Sequence, residues 1–277
     1  MSGLAIECRG LVHIYKTADL EVVALQGLDM TVDEGELVAL VGASGSGKTT
    51  LMNVLAAVER PSAGLAVVAG TDLAMLGEGA RDRYRRQVVG YLWQEATLNL
   101  MPQLTAAENL QLPLLAAGRP WQDRRARAAE LLRDFGLEHR ADHRPPMLSG
   151  GEQQLLAIAV AVANRPQVLL ADEPTAELDA EAAGSVLASL GRLRDREGTT
   201  VLMVSHDREV GRRVDRVLRI RDGRTSTETR ETTGELVILD RAGRLQLPRH
   251  LIQEAGLGGL VRVHGEGPRV VIEHGDA

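Results

Sequence analysis

Residues 41–50 read V-G-A-S-G-S-G-K-T-T, which satisfies G-x-x-x-x-G-K-[ST] between an apolar run and a helix-like stretch. Gly42, Gly45 and Gly47 let the backbone curl, so that the N–H groups of Ala43, Ser44, Ser46 and their neighbours can face a polyphosphate. The helix expected to start near Lys48 adds its positive end. Lys48 offers an ammonium point charge to β- and γ-phosphates, and Thr49, followed by Thr50, offers a hydroxyl to Mg²⁺. The chain has only two lysines, Lys16 and Lys48. A lysine kept where a compact point charge is wanted, in a chain that otherwise uses arginine, fits a working phosphate site. A flexible Gly/Ser linker would have no need for Lys-Thr between a β run and a helix.

A second constellation ends the apolar run Val168–Ala171 with Asp172 and Glu173. Acids at the carboxyl end of a buried strand lie where open α/β sheets bind ligands. Asp172 is suited to hold Mg²⁺ through a water, and Glu173 to orient or deprotonate an attacking water. His206 follows the β run Thr200–Ser205 and could reach a γ-phosphate. A third segment, Leu148-Ser149-Gly150-Gly151-Glu152-Gln153-Gln154, opens another helix pattern. A serine and two glycines at a helix start make a second anion site.

These residues need a scaffold. The runs Leu37–Val41, Val168–Ala171 and Val201–Val204 are apolar throughout, as in strands buried on both faces, and Val88–Trp93 is a further run. Helical patterns lie between them at Thr49–Val58, Arg124–Phe135, Glu152–Ala163 and Ala180–Arg196. The alternation predicts an α/β fold with a mainly parallel sheet. Ala5–Tyr15 and Val22–Val32 add a strand-rich N-terminal part. Residues 222–234 (DGRTSTETRETTG) are polar and Thr-rich, and read as a turn and linker. The expected division is a nucleotide-binding domain over 1–224, with a helical part at about 95–165, a linker at 225–234, and a small β-rich module over 235–277. No internal repeat is found.

Composition narrows the function classes. Hydrophobic residues make up 44%, enough for a sizeable core. Six aromatics in 277 residues leave the core to Leu, Val and Ala, and make stacking platforms for single-stranded nucleic acid improbable. A net charge of −6 gives no general pull toward nucleic acid or an anionic membrane. Cys8 is the single cysteine, which excludes an intrachain disulfide and fits a reducing compartment. The start, Met1-Ser2-Gly3-Leu4, lacks the basic and apolar regions of a signal peptide. The longest apolar stretch is Leu155–Ala163, well short of the ~20 residues that a membrane span needs.

Two phosphate-type sites about 100 residues apart are unusual for a simple kinase or GTPase. Over roughly residues 4–224 the chain resembles the ATP-binding subunits of ABC (ATP-binding cassette) transporters, whose LSGGQ signature is matched by LSGGE. The resemblance implies an ATPase that uses ATP and Mg²⁺, in a fold with a parallel core, an antiparallel N-terminal part and a helical signature subdomain. It implies that Tyr15 stacks on adenine, that Gln94 touches Mg²⁺ and relays to the membrane subunit, and that Asp172 and Glu173 form the acidic pair. It also implies that Thr175–Asp179 crosses a dimer interface through Asp179, and that His206 is the switch histidine. Two copies would meet head to tail, each ATP lying between the phosphate loop of one and Ser149, Gly150, Gly151 and Glu152 of the other. Residues 42–64, 99–118 and 142–151 resemble the lipoprotein-release and macrolide-export branch. That implies a separate membrane permease as partner and a cytoplasmic, peripheral location on the inner face of the cell membrane. Leu155 and Val160 are apolar where the branch typically has arginine.

The C-terminal segment resembles a swapped-hairpin module of the AbrB/MazE type, with a β run, Gly243, a β run ending at Leu247-Pro248, a short helix over Arg249–Ala255, Gly256 and a terminal hairpin. Such modules are usually intertwined dimers and many bind DNA. Residues 234–277 hold five Arg against six acids, with Arg241, Arg244 and Arg249 clustered. That balance favours a dimer-forming or regulatory module, and nucleic acid is not the expected partner. The competing classes are a soluble ABC ATPase acting on ribosomes or DNA, and an ATP-dependent regulator that uses the module for DNA. A single phosphate loop and the absence of sustained heptads disfavour the first.

Overall fold

The computed structural model describes residues 3–17, 20–176, 178–206, 210–211, 213–230, 234–239, 243–258, 261–267 and 269–274. Glu177, within the Thr175–Asp179 stretch, and Arg241 lie outside them.

The chain opens with two long antiparallel strands, β1 (Leu4–Thr17) and β2 (Leu20–Asp33), followed by β3 (Leu37–Val41) and α1 (Lys48–Leu55). β4 (Ala63–Val68) and β5 (Thr71–Asp72) complete a four-stranded antiparallel sheet, ordered β2-β1-β4-β5. Then come α2 (Glu78–Gln87), β6 (Val89–Leu92), α3 (Ala106–Ala116), α4 (Trp121–Asp134), α5 (Gly150–Ala161), β7 (Val168–Asp172), α6 (Ala180–Glu197), β8 (Thr200–Val204), β9 (Arg216–Arg221), β10 (Arg224–Arg230) and β11 (Gly234–Val237). The main sheet runs β11-β10-β9-β3-β8-β7-β6. β9, β3, β8, β7 and β6 are mutually parallel, whereas β10 and β11 are antiparallel additions at one edge.

The uniformly apolar strands are explained by burial on two faces. Alternate residues of β3, Leu37 and Ala39, face a core shared with α3–α6, and Val38 and Leu40 face a core shared with α1 and the antiparallel sheet. β7 and β8 divide the same way, with Leu169, Ala171, Val201 and Met203 on one side and Val168, Leu170, Leu202 and Val204 on the other. A strand flanked by two cores has no solvent face to alternate toward. Leu155 and Val160, the two departures from the branch pattern, are half-buried and pack on the helical side of this core.

Two buried arginines tie distant elements together. Arg127 on α4 is 6% exposed, pairs with Glu197 at 2.7 Å and Glu130 at 3.1 Å, and donates to the carbonyls of Ala163 and Val162. Arg216 on β9 pairs with Glu36 at 2.7 Å and Glu228 at 3.3 Å, and donates to the Thr31 carbonyl. Each guanidinium thereby keeps charged or polar partners, without which its burial would be strongly destabilising.

Of the stretch expected as a linker, the described residues beyond the turn, 224–230 and 234, are sheet. Only Asp222 and Gly223 form a turn, and β10 then pairs with β9 on one side and β11 on the other. Its threonines are β-branched and fit a pleated strand. Ser226 and Thr227 are buried, and the Thr225 hydroxyl donates to the Asp29 carbonyl. The polar stretch is a paired strand one place in from the sheet edge, which β11 forms.

Beyond β11 lie a short bridge between Leu239 and Leu245, α7 (Arg249–Glu254) and the antiparallel pair β12 (Val261–Glu266) and β13 (Arg269–His274). None of the residues from 236 onward whose burial is described is buried. No helix among the described residues is long and apolar enough to cross a membrane.

Candidate functional site

The phosphate loop is shaped by glycines that could not be replaced. A Cβ on Gly42 would stand 2.4 Å from the Ile220 carbonyl oxygen. One on Gly47, which has φ +101°, would stand 2.7 Å from the Ala24 carbonyl oxygen. The turn at Asp222–Gly223 braces the loop, since Gly223 N–H donates to the Ser46 carbonyl at 3.1 Å and Gln26 N–H donates to the Gly223 carbonyl at 2.9 Å. α1 starts at Lys48 with no side chain capping its first N–H groups and no acid in its first turn. Its amide donors therefore remain for a ligand. Lys48 Nζ donates to the carbonyls of Gly42 and Ala43, both at 2.9 Å, which holds the ammonium over the loop.

The acidic pair sits at the carboxyl end of β7, in register with Val204 of β8. Asp172 is 5% exposed and lies beside the Thr49 hydroxyl in the cleft. Burial, then the neighbouring Glu173, raises its pKa, and Lys48 and Thr49 oppose the rise. Glu173 turns away from the strand with φ +50°, a left-handed conformation costing about 1–2 kcal/mol for a side chain of this kind. Its N–H still donates to the Val204 carbonyl at 3.1 Å. That twist sends the carboxylate to His206, whose Nδ1 lies 2.8 Å from Glu173 Oε2. A proton on Nδ1 makes this a donated bond and leaves Oε1 of Glu173 for another donor.

One cleft of about 460 Å³ gathers Gly42, Ser44, Gly45, Gly47, Lys48, Thr49 and Thr50 with Gln94, Asp172, Glu173 and His206. These residues come from the carboxyl ends of β3, β6, β7 and β8, separated in sequence but adjacent in the sheet. Val22, Val23 and Ala24 of β2 also line it, and sequence reasoning missed them, because two exposed valines on a strand carry no motif. Tyr15 pairs across the sheet with Val22, beside this wall, and its hydroxyl bonds Glu59 at 3.0 Å and Thr50 at 3.4 Å.

The other named residues are elsewhere in the fold. Ser149 caps α5 reciprocally with Glu152. The Ser149 hydroxyl accepts from Glu152 N–H at 3.3 Å, and Glu152 Oε2 accepts from Ser149 N–H at 2.8 Å. Arg140 pairs with the same carboxylate at 2.8 Å. The Ser149 amide foremost, with Arg140, holds the Glu152 pKa down at about 2. Asp179 caps α6 through Ala182 N–H at 2.8 Å. The two caps are neighbours, because a Cβ on Gly151 would lie 3.2 Å from the Ala182 side chain. Within one chain neither cap reaches the cleft.

A triphosphate suits these residues on geometric grounds. The loop is closed to any Cβ at Gly42 and Gly47, leaves α1 donors open, and carries the ammonium. Thr49, Gln94 and Asp172 are oxygen donors facing one space, the set that a hard divalent cation shares with phosphates. No cluster of three or more His, Cys, Asp or Glu able to cage a metal occurs among the described residues.

Comparison with known proteins decides the class. A family profile described as ABC transporter matches residues 25–176. This chain belongs to the ABC transporter ATP-binding family. It is 43% identical over 223 residues to the lipoprotein-releasing system ATP-binding protein LolD 2 of Caulobacter vibrioides, covering 80% of this chain and 97% of that one. It is 45% identical over 223 residues to the macrolide export ATP-binding/permease protein MacB of Rhodopseudomonas palustris, of which it spans 34%. Among solved structures, the ATP-binding cassette MJ0796, a dimer in a post-hydrolysis state bound to ADP and Pi, matches with a TM-score of 0.74 at 35% identity, over 81% of this chain and 98% of that one. The fold is that of an ABC ATPase cassette and the chain is an ABC-type ATPase.

Proposed function

We infer that this ATPase is the motor of a transporter whose membrane-spanning permease is a separate chain. The convergence of Lys48 and Thr49 with Asp172, Glu173 and His206 in one cleft carries the reading. Lys48 and the open amides of α1 bind the β- and γ-phosphates. Tyr15, Val22 and Val23 receive the adenine. Thr49, Gln94 and Asp172 hold Mg²⁺, which when bound neutralises phosphate charge. Glu173 orients the attacking water and takes its proton, and His206 fixes the carboxylate through Nδ1. Ser149–Glu152 and Asp179, remote from their own cleft, serve the nucleotide of a second copy. The dimeric MJ0796 cassette supports that arrangement. ATP closes the pair, and hydrolysis reopens it.

The named relatives release lipoproteins or export macrolides, which supports export or mechanical work on amphiphiles at the inner face of the membrane. The C-terminal segment, which resembles the AbrB/MazE module, is a dimer-forming or regulatory attachment. Support comes from the lack of buried residues among those whose burial is described from 236 onward, with Val261, Val263 and Val270 exposed on one hairpin. Deleting residues 231–277 should weaken dimerisation without abolishing ATP binding, and ultracentrifugation reads both populations.

The deciding experiment is Glu173→Gln. ATP-bound dimers should accumulate while phosphate release falls by about 10³-fold. Wild-type turnover in that variant would sink the assigned role.

A further inference from the structure

The phosphate loop walls a second hollow of about 620 Å³, larger than the nucleotide cleft and formed partly by the C-terminal segment. Ser44 and Ser46 lie on one side, Arg219, Arg221 and Thr227 of β9 and β10 on another, and residues 246–250 close it. Its lining carries Arg219, Arg221, Arg249 and His250 against a single acid, Asp222. That acid is engaged already, accepting from Gln246 Nε2 at 3.1 Å and lying 3.6 Å from Arg221 Nε. Arg219 and Arg249 have no ion pair among the described residues.

Two buried atoms in the same lining lack partners. Ser46 is 6% exposed, and its hydroxyl makes no hydrogen bond among the described residues. Gln246 Oε1 is likewise buried and unbonded. An unmet buried polar group is costly, so such a pair invites a ligand that completes it. The chemistry required is specific. Anionic oxygens must meet two arginines, an acceptor must meet Ser46 Oγ–H, and a donor must meet Gln246 Oε1. A phosphate monoester on a hydroxylated carbon skeleton supplies all three, and the volume suits a small metabolite.

We propose that this hollow binds a sugar phosphate or nucleoside monophosphate, with Arg219 and Arg249 on its phosphate. The ligand would sit against Ser44 and Ser46 while Gly42, Ser44 and Gly45 also line the ATP cleft, so occupancy is coupled to ATP affinity, reciprocally. This adds a regulatory site and requires neither Asp172 nor Glu173.

The test is equilibrium dialysis of the full chain carrying Glu173→Gln in saturating ATP, against radiolabelled ribose 5-phosphate, with AMP in a parallel arm. One equivalent of either probe should bind per chain while ATP is retained. Arg219→Glu and Arg249→Glu should each weaken that binding by about tenfold or more, the loss of a charged contact, and Arg249→Lys should restore most of it. Both arginines are exposed, so the variants retain the fold. Probe binding that disappears when ATP fills the cleft overturns the proposal, as does binding that survives both reversals. ATP displaced as the probe binds is competition for the nucleotide cleft and likewise overturns the proposal, whereas failure to bind ATP in the absence of any probe counts against the nucleotide reading instead.

Discussion

Two helix starts in this protein share a backbone dipole and are prepared in opposite ways. α1 begins after a left-handed glycine, carries no side-chain cap, has no acid in its first turn, and has Lys48 as its first residue. α5 begins inside a closed capping box, with the carboxylate of Glu152 on the Ser149 amide and paired to Arg140. Neither start can be understood from its dipole alone. At α1 the donors are open and converge with side chains of three other strands. At α5 two polar groups satisfy each other and a negative charge offsets the positive end. In the proposed dimer, α1 therefore supplies most of the affinity for ATP, and α5 supplies the geometry of closure.

The largest effect that can test this contrast is at Lys48. Lys48→Ala should lower ATP hydrolysis by roughly 10²–10³-fold and ATP retention with it, read by phosphate release and filter binding. Ser149→Ala should leave ATP retention by the single chain intact. It should cost about 1 kcal/mol of stability through the lost cap and reduce ATP-driven dimerisation several-fold. A fall in single-chain ATP retention comparable to that of Lys48→Ala would break the contrast. The smallest effect is at Glu152. Glu152→Gln keeps an acceptor for the Ser149 amide and loses the ionic part of the Arg140 contact, which should lower Tm by about 2 °C. Removing a carboxylate from that end should also tighten ATP-driven dimerisation. The wild-type carboxylate has a depressed pKa, so its contribution is present above the usual value of about 4.3 and lost as pH falls toward 2. The Tm difference between wild type and Glu152→Gln should therefore shrink across that window, and a constant difference would remove the ionic account.

Much of the nucleotide cleft was legible in the sequence because its residues are consecutive. The run 42–50, the pair Asp172-Glu173 and the strand before His206 each declare both a residue type and a position at a strand end. The strands themselves were legible because burial on two faces leaves only apolar residues. What escaped was structure whose signal is not apolar periodicity. α2 (EGARDRYRRQ) is charged on nearly every side and buries only Tyr84. α3 carries Pro113 inside, which interrupts a helical pattern, although Thr105 and Glu108 form a capping box at its start. β10 reads as a linker from its sequence because a Thr-rich polar strand near the edge of a sheet has the composition of a loop. The Glu173 backbone twist, which aims its carboxylate, leaves no trace in composition.

The placement of β3 has a consequence for synthesis. Its two hydrogen-bonded neighbours are β8 and β9, built from residues 200–204 and 216–221. The loop that follows it is packed against Ile220 and braced by Gly223. The phosphate-binding sequence therefore leaves the ribosome early and stays unformed until almost the whole cassette has been translated. Long-range pairing of this kind is slow and exposes apolar strands while they wait. A chain truncated before residue 216 would carry every residue of the phosphate loop without its bracing strand, and should not retain ATP.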